Sequence, residues 1–280
     1  MNLLQLNKFG DLHNGQTIIF CKTEFLRKEF KYISRLKNDV ILISGNSDDP
    51  VTDDLLAAMP PNIIKWYCQN AVVTDNKIVA LPIGLENTMI NKRKGHGVAW
   101  HHALDKVELL SKLYGTETVR PTKLIYSNFN INTNRPHREV LRQLSIATDF
   151  ITWQEPNLLY PDFIKNVLAH EATLCPVGNG IDTHRLFEIL YCNRIAITVK
   201  TVDSPLYNQL YSRLPVVVLE SYNDLENQEL MIRLIDRAKK KTNDMFLLDF
   251  DYWKHQILQE AQEIKAKPNI YRRIKQIIGR

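Results

Sequence analysis

The segment Thr173–Cys192, TLCPVGNGIDTHRLFEILYC, holds the residues whose types and spacing point most directly to chemistry. A short apolar run enters Gly178-Asn179-Gly180, and an amphipathic pattern follows with Leu186, Ile189 and Leu190 on one face. Glycines let backbone amides approach a ligand with no Cβ in the way. A helix start presents unpaired N–H groups and a partial positive charge, which suit phosphate. Asp182 has the side chain expected of an N-cap. Arg185, in the first turn, has a planar fork that can grip phosphate oxygens at two points. Glu188 lies three residues on, on a neighbouring face, and can accept hydrogen bonds from the two hydroxyls of a ribose. The pattern offers a diphosphate cradle followed by a sugar acceptor. The competing reading is a capped strand–loop–helix turn with an Arg185–Glu188 ion pair. A GxG by itself favours that reading; the added Asp182, Arg185 and Glu188 favour nucleotide binding.

A second constellation is Tyr126–Arg138, YSNFNINTNRPHR, where another apolar run ends in a polar loop that enters a helix. Asn128 joins the donor-binding set from this loop. Arg135 and Arg138 flank the helix start, and Arg138 is the better placed to meet the same phosphates. The alternative is an Asn-rich turn with surface arginines.

These loops need elements to position them. Short β-branched runs bounded by Gly, Pro, Asn and Asp alternate with amphipathic patterns, which predicts buried parallel strands in βαβ units. Strands are expected at Thr17–Thr23, Asp39–Gly45, Ile64–Asn70 and Lys77–Leu85, then at Lys123–Phe129, Ile151–Gln154, Thr173–Pro176, Arg194–Lys200 and Pro215–Ser221. Helices are expected at Glu24–Leu36, Asp53–Met59 and about 101–114 in the first half. The second half predicts them at Pro136–Ala147, Asp162–His170, Asp182–Cys192, Leu206–Arg213 and Leu225–Lys241. Two more, Tyr252–Lys267 and Asn269–Ile278, close the chain on either side of Pro268. The expected fold is α/β, two Rossmann-like lobes facing a cleft. Residues 1–118 form the first lobe and 119–250 the second, with helices over 251–280 able to cross back. Ligands of open parallel sheets bind beyond the carboxyl ends of the strands.

Composition narrows the classes. The 280 residues are 44% hydrophobic and 24% charged, which excludes a disordered tail, a collagen-like chain and a coiled coil. The net charge of +5 is spread along the chain, which suits a phosphate-bearing ligand better than nucleic acid. No apolar run approaches the roughly 20 residues that span a bilayer. The first residues lack the leader pattern of a signal peptide. Cys21, Cys68, Cys175 and Cys192 form no CxxC pair and read as buried free thiols of a reducing compartment. There is no GxGxxG after a first strand, no GxxxxGK[ST] and no GxSxG, which weighs against a dehydrogenase or hydrolase on a similar sheet. A catalytically silent sugar- or nucleotide-binding module is the third possibility.

The blocks CPVGNGIDTHRLFEILYCNRIAITVK and SPLYNQLYSRLPVVVLESYND resemble the C-terminal half of the exostosin-like glycosyltransferases, family 47. ISGNSDDP, IIKWYCQNA and LPIGLEN resemble the N-terminal lobe of its small bacterial and viral members, and length and motifs look especially like soluble chlorovirus ones. The resemblance spans about residues 39–225 and is most specific at 178–188. It implies the two-lobed GT-B fold, a UDP-linked donor in the second lobe, inversion at the anomeric carbon, no obligatory metal or other cofactor and a glycan or glycoprotein acceptor. Xylose follows only from the viral likeness. Gly178, Asn179, Gly180, Asp182, Arg185 and Glu188 fall on donor-binding positions. The membrane anchor of animal and plant members is not seen, which implies a cytoplasmic enzyme.

An inverting transfer needs a base on the acceptor side. Glu86, after LPIGL, and Asp48, after ISGNS, are the leading candidates, with Asp49, His101 and His102 behind them. Asp48 and Asp49 read alternatively as caps of a helix beginning near Pro50, and Glu86 as a solvated loop carboxylate. Asp249-Phe250-Asp251 looks like a metal-binding DxD, but Asp251 is well placed to cap a helix starting at Tyr252. Trp66, Trp100 and Trp153 read as core more readily than as stacking platforms.

Overall fold

The computed structural model describes residues 2–86, 103–116 and 120–266. It contains two separate sheets in which every strand pairing is parallel, the architecture the alternating pattern predicts. His101, His102, Trp100 and the expected helix Asn269–Ile278 lie outside the described residues.

The first sheet runs β1 (Ile18–Lys22), β2 (Val40–Gly45), β3 (Ile63–Cys68), β4 (Ile78–Ala80) in that order. Every residue of β2 is buried, because both faces of a parallel sheet are covered. Val40, Leu42 and Trp66 face α1 (Leu26–Ile33) and α2 (Asp53–Ala57). Ile41, Ile43 and Tyr67 face the other way, towards Trp253, Ile257 and Ala261 of α8 (Phe250–Ala266). The chain thus returns to the first sheet at its far end. Phe250 donates its amide to the Asn2 carbonyl at 2.8 Å, and the Tyr191 hydroxyl takes the Leu4 amide at 2.9 Å while donating to the Leu248 carbonyl at 2.8 Å.

The second sheet has the order β6-β5-β7-β8-β9, with β5 at Lys123–Ser127, β6 at Ile151–Trp153, β7 at His170–Leu174, β8 at Ile195–Val199 and β9 at Val216–Leu219. From β5 the chain moves outward through α4 (Arg135–Ala147) to β6. It then returns past β5 through α5 (Tyr160–Ala169) to β7, continues through α6 (His184–Tyr191) to β8, and reaches β9 before α7 (Gln228–Lys239). The order therefore reverses between β5 and β7. Such a switch point opens a crevice beyond the carboxyl ends of the two strands.

Apolar packing joins the two sheets. One buried cluster contains Ile41, Tyr67, Ala80 and Leu81 of the first half together with Leu186, Leu190, Tyr211 and Trp253. Gln209 covers the edge of β4: its side chain donates to the Ile78 carbonyl at 3.3 Å and accepts from the Ala80 amide at 2.8 Å. An uncovered edge strand is a liability, and here the second half caps it.

Several boundaries differ from the pattern. The helix expected at Asp182 begins at His184 with Thr183 as its N-cap, because the Asp182 carboxylate is drawn into the contact between the halves. The helix after Pro50 begins at Asp53 with Thr52 as N-cap, so Asp48 and Asp49 do not cap it. Residues Tyr207–Tyr211 are π-helical, a form often found where a helix serves a function. The last described helix starts at Phe250, so Asp251 lies in its first turn and does not cap a helix at Tyr252; Asp249 Oδ1 accepts from the amides of Asn2 and Asp251, and Asp251 Oδ1 from the Asn2 side chain at 3.1 Å. The sequence pattern did not predict the 3-10 helix Leu6–Leu12. The four cysteines are free and buried. Trp66 is fully buried, edge-on to Phe30, with its indole N–H on Ser44 Oγ at 2.8 Å.

Candidate nucleotide site at the switch point

A cavity of about 300 Å³ lies at the β5/β7 switch point. Asn128 after β5, Tyr160 and Phe163 of α5, Arg185 and Glu188 of α6, and Lys106 of α3 (Ala103–Leu113) line it. The first two turns of α6 bring Arg185 and Glu188 to the same wall. The opposite, apolar stripe of α6 is buried, with Leu186, Phe187, Ile189 and Leu190 packed in the core.

Arg185 sits 4.2 Å over the Phe163 ring, donates to the Asn128 carbonyl and lies 3.4 Å from Glu188 Oε2 through Nε. About 30% of its side chain is exposed, so the guanidinium is held flat and still reaches the cavity. Glu188 is buried. Its Oε1 accepts from Lys106 Nζ at 2.8 Å. The same ammonium donates to Glu86 Oε1 at 2.6 Å and stands 4.9 Å from the Tyr160 ring centre. Burial opposes the charge on Glu86, but Lys106 and then His184 outweigh it, and the Glu86 pKa falls below the usual carboxylate value. Burial likewise opposes the charge on Lys106, and Glu188 and Glu86 overcome it, raising the lysine pKa. The Arg185–Glu188 ion pair of the competing reading is therefore present, but as one part of a four-residue chain running from Glu86 to Arg185.

The glycine loop sits beside the cavity and faces the first half of the chain. Gly180 lies against Asn70: a Cβ there would meet the Asn70 side chain at 2.6 Å. Gly178 has ordinary space where a Cβ would stand, the nearest atom being an Arg138 nitrogen at 3.5 Å. Its amide bonds within the loop to the Gly180 carbonyl at 3.0 Å. Asn179 donates to Asp48 Oδ2 at 2.9 Å, which links the two halves at the carboxyl end of β2. Asp182 is buried. Its Oδ2 accepts from the Ile83 amide at 2.8 Å, and its Oδ1 accepts from the Thr183 amide at 3.0 Å and from the Tyr211 hydroxyl. Its own amide donates to Asn70 Oδ1 at 3.0 Å. Burial pushes its pKa up to about 6 against these bonds. Asp182 is thus a strut between the halves, and no free face is left for a ligand.

Arg138 is likewise spent on the protein. Its Nε donates to the Val177 carbonyl at 2.9 Å, one terminal nitrogen to Asn130 at 2.8 Å and the other to Pro176 at 3.3 Å. It clasps the loop after β5 to the loop after β7, and so fixes the crevice instead of reaching into it. Asn128 does the same for the loop after β6, donating to the carbonyls of Gln154 and Glu155 at 3.0 and 2.9 Å. Of the residues the sequence singled out, Asn128, Arg185 and Glu188 line the cavity; Gly178, Asn179, Gly180, Asp182 and Arg138 shape its surroundings; Glu86 touches it through Lys106.

Sequence reasoning missed Lys106, Tyr160 and Phe163. Nothing in the pattern of α3 marks one lysine as buried. Tyr160 and Phe163, at i and i+3 in the first turn of α5, carry no spacing that separates them from core aromatics. Among the described residues no group of three or more His, Cys, Asp or Glu side chains is placed to hold a metal ion. Among them, too, no helix is long and apolar enough to cross a membrane.

No family profile matches the chain, and no curated protein matches it. The exostosin-like resemblance therefore rests on the sequence blocks themselves. Among solved structures, one described as trehalose-6-phosphate from E. coli bound with UDP-2-fluoro glucose is similar to this chain at 11% identity. The match covers 91% of this chain and 75% of that chain, with a TM-score of 0.49.

Proposed function

We propose that the chain is a glycosyltransferase that holds a nucleotide-linked sugar, of the UDP class, at the β5/β7 switch point and passes the sugar to a glycan hydroxyl. One observation carries the proposal: Arg185 and Glu188 face the same cavity from adjoining turns of α6, at the place where open α/β sheets bind ligands. A cation for a diphosphate and a carboxylate for a ribose diol, beside the rings of Tyr160 and Phe163, match the parts of such a donor. In this reading residues 119–250 are the donor lobe, 1–118 present the acceptor, and the helices from 251 on brace the first lobe.

The transfer is read as a single inverting displacement without a metal. The acceptor oxygen attacks the anomeric carbon, and the diphosphate leaves with the bonding electrons. Arg185, fixed by Phe163 and Asn128 before any ligand arrives, stabilises the charge that grows on the leaving group; preorganised charge of this kind is usually the largest catalytic contribution. A positioned base adds about 10²–10⁴-fold. Glu86, ion-paired with Lys106 and of lowered pKa, is a poor proton acceptor. Asp48 is exposed and bonded across to the donor loop through Asn179, so it is the better candidate. Xylose as the sugar, and a cytoplasmic setting, belong to the same proposal on the strength of the sequence resemblance alone.

Arg185→Ala is expected to weaken UDP binding by about 1.5–3 kcal/mol, the scale of a hydrogen bond to a charged group. Titration calorimetry with UDP tests it, and unchanged affinity rejects the site. Asp48→Asn is expected to lose turnover while keeping UDP affinity. EDTA is expected to leave turnover intact. The pairing of Glu86 with Lys106 favours one rival, a binding module without turnover; UDP binding with no sugar transfer to any acceptor tested would select it.

A further inference from the structure

The geometry points to Lys106 as a positioning residue for nucleoside recognition: it presents Glu188 as the acceptor of the ribose diol and ties that acceptor to the first lobe through Glu86. This deepens the nucleotide reading above and rests on it.

Lys106 reaches the cavity wall from α3, outside both sheets, and only 9% of its side chain is exposed. An ammonium has three N–H donors and no acceptor. Two go to Glu86 at 2.6 Å and Glu188 at 2.8 Å, and Tyr160 presents its ring at 4.9 Å. The lysine is thus held chiefly by its two carboxylate partners and acts on the site through them. Glu188 is the partner that lines the cavity. With Oε1 occupied by Lys106, Oε2 is the remaining oxygen, only loosely met by Arg185 at 3.4 Å. That oxygen has lone pairs for a hydroxyl donor.

The charged and titratable groups around Glu188 come from every neighbouring element. They are Lys106 on α3, Glu86 after β4, Arg185 on α6, Tyr160 on α5, Cys175 after β7 and Cys192 after α6, and His184 at the start of α6 acts on Glu86. Among the described residues, only Lys106 pairs with both carboxylates. Without it, the two carboxylates that shared one ammonium are left together in a buried site, and like charges so placed favour holding a proton. A shared proton turns the ribose acceptor partly into a donor and frees its side chain to turn. Breaking a buried pair by deleting one partner leaves an uncompensated charge, so the effect should be large.

The test compares UDP with 2′,3′-dideoxyuridine diphosphate by calorimetry at pH 6, 7 and 8.5. The wild-type protein is expected to prefer UDP by at least about tenfold at each pH, the scale of a hydrogen bond to a charged group. Lys106→Met is expected to bind both compounds nearly equally at pH 6 and to regain part of the preference by pH 8.5, as the shared proton leaves. Lys106→Arg is expected to keep the wild-type ratio. Lys106→Gln serves where Lys106→Met fails to fold, with the same expectation. A wild-type ratio in Lys106→Met or Lys106→Gln at every pH overturns the inference. Equal binding of both compounds by the wild-type protein overturns the role of Glu188 and this inference with it. Failure of the wild-type protein to bind UDP at all overturns the nucleotide reading itself.

Discussion

Asp182→Asn probes the contact between the two halves with almost no change of shape. The carboxylate takes three donors: the Ile83 amide on Oδ2, and the Thr183 amide and Tyr211 hydroxyl on Oδ1. An asparagine has one carbonyl oxygen. Whichever way its amide turns, the NH₂ group faces a backbone N–H, of Ile83 or of Thr183. An orphaned buried donor costs about 1–3 kcal/mol. Charge acts in the opposite direction. Burial raises the Asp182 pKa to about 6 from the ordinary 3.8, so the folded protein binds this proton more tightly than the unfolded chain does. The stability this supplies is complete below about pH 4, is lost as the pH rises to about 6, and stays lost above that. Asparagine does not titrate and lacks this dependence. The deficit of Asp182→Asn should therefore be greatest at acid pH and should shrink by about 1.5 kcal/mol between pH 5 and pH 8, at 1.36 kcal/mol per pKa unit. Urea unfolding of both proteins at pH 5, 6, 7 and 8, each on a His184→Gln background to remove the imidazole whose charge acts on Asp182, measures the deficit, and groups that do not interact with Asp182 cancel in the difference. A deficit that is flat or grows with pH would refute the reasoning, and would show that Asp182 is ionised at little cost inside the fold.

Two further substitutions test neighbouring contacts. Gly180→Ala places a methyl group 2.6 Å from Asn70, whose side chain is tied to the Ser47 carbonyl and the Asp182 amide; a loss of about 1–3 kcal/mol is expected by denaturant titration, and Asn70→Ala should remove most of it. Tyr191→Phe strands the Leu4 amide and the Leu248 carbonyl together, and should lower stability by about 1–3 kcal/mol while leaving UDP affinity unchanged, since the hydroxyl lies away from the cavity.

The fold was legible because buried parallel strands write themselves as short β-branched runs. DVILISG, RIAITVK and PVVVLES each fall on a strand, and the loops after β5 and β7 fall at the switch point. What the sequence could not show was which polar groups the fold consumes. Arg138 and Arg185 look alike in sequence, each early in a helix after a polar loop. One is spent on three backbone carbonyls and the other turns to the cavity. Asp182 has the residue type and place of a cap, yet an amide from the other half, 99 residues away, takes its carboxylate. Gly180 reads as room for a phosphate and is room for Asn70. Lys106 carried no mark at all, because its two partners lie 20 and 82 positions away in the chain and only the tertiary fold assembles them.

The apolar cluster that holds Ile41 and Tyr67 together with Leu186 and Tyr211 bears on how this molecule can move. Swinging the halves apart as rigid plates would wet that interior and strip the cap from β4 at the same time. Heat or denaturant should accordingly melt both sheets in one transition. Entry to the crevice then falls to smaller pieces of chain, and on its rim, between β6 and α5, Asn157 holds a positive φ of 86° and Leu159 stands 69% exposed.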